Sequence, residues 1–155
     1  MMDSSQQSRE RSTFRAELSR LPPSINDSYT KRHRGMSKST ALKKFLAYSR
    51  AEMLKQVGFD MPMFDRTKPH RLTMEMFMPA LYNKGWPKST PNRYKRQDVT
   101  NLIKHAEDLV ADVVGIDDSC FIGSRVTKFH GPDYGFIGVR ILLEEVEYAE
   151  VMPCI

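Results

Sequence analysis

A stripe of apolar residues constrains this chain more than any other feature. Val99, Leu102, Ile103, Ala106, Leu109, Val110 and Val113 fall on one side at 100° per residue. Asn101, Lys104, His105, Asp108 and Asp112 fall on the other, and Gly115 follows as a stop. The pattern predicts an amphipathic helix over Thr100–Val114, which must lay its apolar side on another layer. Arg71–Met78 supplies a candidate layer: Leu72, Met74, Met76 and Met78 alternate with Arg71, Thr73, Glu75 and Phe77, and Pro79 ends the strand.

The remaining elements follow from the same rules. Thr13–Leu21 alternates loosely through Phe14, Ala16 and Leu18 and reads as a first strand, closed by Pro22-Pro23. Ser39 or Thr40 can cap a helix whose face carries Leu42, Phe45, Leu46, Met53, Leu54 and Val57, and Gly58 stops it. Phe59–His70 is a proline-punctuated loop, and Ala80–Gln97 is a longer one with Gly85, Pro87 and Pro91. A loop of that length is functional or disordered, and this one is expected to order when its partner arrives. Phe121–Phe129 and Gly135–Glu145 read as strands joined in a β-hairpin around His130–Gly135. The order β-α-β-α-β-β predicts an α+β fold, with two main helices on a mainly antiparallel sheet of about four strands. Residues 1–12 are expected to be a flexible arm, 13–147 a single domain, and 148–155 a frayed tail.

At 155 residues the chain is long enough for one core. No run of apolar residues is long enough to span a membrane, and the N-terminus lacks the apolar core of a signal peptide, so a cytoplasmic protein is expected. Two cysteines, Cys120 and Cys154, make neither a disulfide framework nor a zinc pattern, and the four histidines show no ligand spacing. Charge is uneven along the chain. Residues 1–100 hold 20 Lys/Arg against 9 Asp/Glu, whereas residues 101–155 hold 4 against 10. That asymmetry points to a polyanionic partner approached from one side, or to an uneven solvated surface.

The local pattern is more informative. Arg93-Tyr-Lys-Arg96 leads into Asp98 at the helix start, and Asp117-Asp118 follows the helix end. Basic residues attract phosphates and carboxylates hold hard cations, so the combination suggests metal-assisted chemistry on nucleic acid. A helix of this length is roughly 22 Å long, which separates Asp98 from Asp118. Either the helix is shorter, the loop after Gly115 folds back, or a second subunit contributes. Asp98 and Thr100 are also good N-cap residues, and Asp117-Asp118 could be an ordinary polar turn. Lys104 on a polar helix face is often only solvated; beside carboxylates it could stabilise a phosphate transition state. His105 reads as a surface histidine, and Asp108 and Asp112 as solvating charges. Phe45, Phe77 and the methionines of the second strand read as core. Trp86 and Tyr94 sit in a basic loop with no apolar pattern, where stacking on unpaired bases fits.

Several segments in order resemble one family. These are Pro22-Pro23-Ser24-Ile25-Asn26, Tyr29, Met78-Pro79, Arg96-Gln97-Asp98-x-x-Asn101-Leu102-x-Lys104, Gly115-Ile116-Asp117-Asp118, Val126-x-Lys128 and Gly138-x-x-Ile141. Over roughly residues 14–146 the chain resembles the RusA family of Holliday-junction resolvases. The resemblance implies a homodimeric endonuclease of phage or prophage origin in a bacterial cell. It would depend on Mg²⁺, with Mn²⁺ as a substitute, and resolve four-way DNA junctions by paired symmetric nicks in recombination and repair. It places essential aspartates at Asp98 and Asp118, a functional lysine at Lys104, and a less critical acid at Asp117. Where the family motif reads Asp-x-Asp-Asn, this chain reads Asp98-Val-Thr100-Asn101. Thr100 could ligate weakly, another acid such as Glu75 could compensate, or the protein could bind junctions while cutting them poorly. Backbone contacts to DNA are expected from Lys84, Lys88, Arg93, Lys95 and Arg96, and from Arg32 and Arg34 in the acid-free segment before the first helix. A basic protein unrelated to junctions, binding RNA for example, is a third reading.

Overall fold

The structure is a computed structural model that describes residues 11–32, 35–95 and 100–150. The chain runs β1 (Thr13–Leu18), α1 (Ile25–Ser28), β2 (Tyr29–Arg32), β3 (Gly35–Lys38), α2 (Thr40–Val57), β4 (His70–Met78), α3 (Thr100–Val114), β5 (Phe121–His130) and β6 (Gly138–Glu145). Short 3₁₀ turns cover Asp118–Cys120, Gly131–Tyr134 and Tyr148–Glu150. The fold is α+β, with a four-stranded sheet in the order β1-β6-β4-β5 and a separate β2-β3 ribbon.

Both long helices start and stop where the sequence places them. The Ser39 hydroxyl accepts from the Leu42 amide at 3.2 Å, and Gly58, at φ 60°, donates its amide to Leu54 at 3.0 Å. Such a cap is worth about 1 kcal/mol. Leu42, Phe45 and Met53 of α2 are buried, whereas Leu54 is exposed. On α3, Leu102, Ala106, Leu109, Val110 and Val113 join the core.

The sheet meets these helices through one set of alternating positions: Phe14, Ala16 and Leu18, then Leu72, Met74, Met76 and Met78, then Val139, Ile141 and Leu143, all buried. The flexible thioethers of β4 fill the space beneath both helices, as expected of core methionines. Phe77 is buried too, but on the other sheet face, where Phe129 stacks on it at 5.2 Å and Tyr134 and Phe136 meet it edge-on. The guanidinium of Arg140 covers this cluster, 4.8 Å from the Phe77 ring centroid.

The expected β5–β6 hairpin does not form. β6 pairs antiparallel with both β1 and β4, and β5 pairs parallel with β4 on its other side, which makes the sheet mixed. Burial decides the matter: β4 is buried along most of its length and takes an interior place, while β5 is only partly covered and lies at the edge. The link from β5 to β6 therefore crosses the end of β4. Gly131 sits where a Cβ would press on the Met78 carbonyl, and Gly138, at φ 152°, where one would collide with the Leu18 carbonyl. Two further elements, α1 and the β2-β3 ribbon, arise in a polar stretch with no periodic signal.

After β6, Tyr148–Glu150 is tied back, because Glu150 pairs with Arg11 at 2.8 Å. Among the described residues no helix is long and apolar enough to cross a membrane.

Candidate active site

At the end of α3 the chain turns back, while Asp98 lies outside the described residues. The helix keeps its full extent, Thr100–Val114, and Gly115, at φ 73°, reverses the chain. Gly115 and Ile116 both donate to the Ala111 carbonyl, at 2.9 and 3.1 Å, which closes the helix. Asp117 then caps the following 3₁₀ turn, accepting from the Ser119 amide at 2.9 Å. As a result Asp118 reaches back along the helix to Lys104, Oδ2 to Nζ 2.8 Å. Lys104 also meets Asp108, one turn along α3, at 2.8 Å.

Lys104 thus sits between two carboxylates. Hydrogen bonds to Asp108 and then to Asp118 hold its pKa far above the ordinary lysine range, so it stays protonated. The three groups are each about half exposed. Exposed pairs of this kind contribute about 0–1 kcal/mol to stability. Their consequence is positional: the ammonium is fixed where the turn and the helix converge. The pKa of Asp117 is lowered by hydrogen bonds from the Ser119 hydroxyl and amide, so it is ionised as well.

Other predicted residues are placed as follows. Thr100 is the exposed first residue of α3. Glu75 lies on the sheet face opposite α3, in register with Arg140 and Thr127, and the fold does not bring it to Asp118 within one chain. The backbone of Arg32 ends β2, paired with Gly35. Asp98, Arg96 and Arg34 lie outside the described residues. Lys84, Lys88, Arg93 and Lys95 are exposed.

Two residues on the polar side of α3 depart from expectation. Asp108, expected to be a solvated charge, belongs to the Lys104 cluster; the signal for it was its i, i+4 spacing from Lys104. His105, expected at the surface, is 4% exposed, with Nε2 2.6 Å from the Ser28 hydroxyl and its ring against Tyr29. Burial lowers its pKa. The α1–β2 segment covers this part of α3, which no local pattern announces. Asp112 pairs with Arg50 of α2 and, as expected, remains largely exposed.

Carboxylates are the hard oxygen donors that Mg²⁺ prefers, so Asp118 and Asp108 suit such an ion in kind. Among the described residues no group of three His, Cys, Asp or Glu side chains could hold a metal.

The basic loop after β4 is an ordered excursion. Tyr82 and Tyr94 form an antiparallel bridge, the Asn83 amide donates to Arg93 at 2.9 Å, and the Lys95 amide donates to Leu81 at 3.0 Å. The Asn83 side-chain amide reaches the carbonyls of Asn92 and Tyr94 at 2.6 and 2.9 Å. It carries its four cations outward on a hairpin-like arm.

Among known families, the model for endodeoxyribonuclease RusA matches residues 21–142. No curated protein matches the chain. The match spans α1 through most of β6 and includes Lys104, Asp108, the turn back and Asp118. The chain therefore belongs to the RusA endodeoxyribonuclease family, whose members act on Holliday junctions.

Proposed function

We propose that this protein is a Mg²⁺-dependent, structure-selective endonuclease that resolves four-way and other branched DNA by paired nicks. The observation that carries this reading is the convergence of Lys104 with Asp118 through the turn at Gly115. It unites, from separate elements, a carboxylate and an ammonium in a family of DNA endonucleases.

Asp98 and Asp118 are the proposed ligands, with Asp117 or Asp108 assisting. A divalent cation bound there would activate water and offset charge on the phosphate. Asp118 and Asp108 orient Lys104 so that its remaining N–H donor can point to a phosphate oxygen or to the departing 3′-oxygen. Permanent protonation suits that role, because Lys104 then offers charge and donors rather than acting as a base. Lys84, Lys88, Arg93, Lys95 and Arg96, with Arg32 and Arg34, would hold the phosphate backbone. Binding of this kind reads shape and weakens as salt rises. The reading includes a homodimer, matching the two symmetric strands of a junction, working in the cytoplasm of a phage- or prophage-carrying bacterium.

Thr100 favours a second reading, a junction binder with weak or no cleavage, because a neutral hydroxyl stands where the family motif carries an acid. Incubating a labelled four-way junction with Mg²⁺ or Mn²⁺ separates the two. Cleavage by the wild type that disappears in Asp98→Asn supports the enzyme. An inactive wild type rescued by Thr100→Asp supports the binder. Cleavage unaffected by Asp98→Asn overturns the ligand assignment.

A further inference from the structure

The arm at residues 80–95 holds aromatic rings as well as charge. The Arg93 guanidinium lies 5.4 Å from the Trp86 ring centroid, 5.6 Å from that of Tyr82 and 5.9 Å from that of Tyr94. Tyr82 and Tyr94 are 5.7 Å apart, and Tyr82 continues to His130 of β5 at 5.2 Å. His130 anchors the arm, its Nδ1 accepting from the Leu81 amide at 3.3 Å. Beside these rings lies a recess of roughly 480 Å³ between the arm, β5 and Tyr134.

These rings are not core. Tyr82 is 39%, Trp86 45% and Tyr94 53% exposed, so each leaves ring surface in water. The arm's own hydrogen bonds support this arrangement, and an assembled surface lowers the ordering cost for a ligand that stacks on it. Arg93 lies among them, Lys84, Lys88 and Lys95 are exposed on the same arm, and residues 80–95 contain no acid. A half-exposed group of rings on a basic arm matches a ligand that combines π faces with phosphates. In linear duplex those faces are covered by neighbouring base pairs. They are available in single strands and where pairing breaks at a branch.

We propose that Tyr82, Trp86 and Tyr94, gathered around Arg93, form a preformed stacking platform for unpaired DNA bases. In this arrangement the platform, rather than the carboxylate turn, distinguishes branched DNA from linear duplex. The inference deepens the reading above and rests on DNA being the ligand, but not on cleavage.

Trp86 is the single tryptophan of the chain and reports directly on the platform. The full chain, in EDTA so that nothing is cut, is titrated with three DNAs. These are an oligothymidylate of about a dozen nucleotides, a linear duplex and a four-way junction. The oligothymidylate and the junction should quench Trp86 emission while the duplex leaves it unchanged. Tyr82→Ala with Tyr94→Ala should weaken oligothymidylate and junction binding about tenfold or more and spare duplex binding. The corresponding double Phe variant, which keeps the rings, should retain wild-type affinity. Equal quenching by duplex overturns the proposal. So does a proportional loss of duplex and junction binding in the Ala variant, or an equal loss in the Phe variant. A protein that shows the selective quench but never cuts a junction keeps the platform and loses the enzyme reading. One that cuts junctions without selective quenching keeps the enzyme reading and loses the platform.

Discussion

The turn at the end of α3 and the arm at residues 80–95 use charge in opposite ways. In the turn, Lys104 is matched by Asp108 and Asp118, and the result is a fixed position. In the arm, four cations have no acid in their own segment, and the guanidinium of Arg93 rests among rings instead. Matched charges build a geometry that chemistry can use. Unmatched charges on an exposed arm remain available to a polyanion. In the proposed function the two regions would divide the work, one for reaction and one for attraction, and substitutions should separate the two effects.

The largest effect is expected at the turn. Lys104→Met should reduce the single-turnover cleavage rate of a bound junction about a hundredfold, in the range seen when one charge-stabilising donor is lost. Junction affinity measured in EDTA should change little. Should affinity collapse together with rate, the division between the two regions fails.

The arm should behave in the complementary way. Replacing Lys84, Lys88, Arg93 and Lys95 together by Ala should reduce the slope of log affinity against log salt by about 3 to 4, because each phosphate contact contributes about 0.9. The cleavage rate at saturating protein should stay within a few-fold of wild type. An unchanged salt slope would remove the arm from the DNA path.

A smaller effect is expected for Asp108→Asn. Asp118 still holds the ammonium in this variant, and one exposed pair contributes about 0–1 kcal/mol. The expected loss is less than about tenfold in cleavage rate. A loss as deep as that of Lys104→Met would give Asp108 a more direct part in the chemistry.

The smallest expected effect is on stability. Burial depresses the pKa of His70 and of His105, so the unfolded chain takes up protons there more readily than the folded one. Their contribution to stability is complete above the ordinary histidine value of about 6.5 and is lost as pH falls through the lower folded values. Thermal midpoints should be flat from pH 7 to 8 and fall toward pH 5, with a shallower fall in His70→Gln. A midpoint that rises on acidification would contradict the sign.

Legibility in sequence follows the same contrast. Elements with a strong internal period were readable: α2 from Ser39 to Gly58, α3 with its apolar stripe, and β4 with its alternating methionines. Elements defined by what covers them were not. The β2-β3 ribbon lies in a charged stretch without alternation, and it is the adjoining α1–β2 segment that buries His105. The parallel β4-β5 pairing depends on competition among strands for an interior place, whereas turn chemistry between β5 and β6 suggested only a hairpin. At the site, Lys104 and Asp118 were legible as residue types in order. Their contact was not, because it depends on the backbone reversal at Gly115. Asp108 was visible through its helical spacing but looked like one solvated charge among several.

The Gly115 turn brings Asp118 to Lys104, and in the proposed function this pair belongs to a nuclease centre for branched DNA. Its most direct test is single-turnover cleavage, with Mg²⁺, of a four-way junction labelled on each strand in turn, comparing wild type with Asp118→Asn beside a linear duplex of the same sequence. Wild type should nick two opposite strands near the branch and leave the duplex intact, and Asp118→Asn should bind the junction but not cut it. Junction cleavage at wild-type rate by Asp118→Asn, or equal cutting of the linear duplex, would contradict the proposed function.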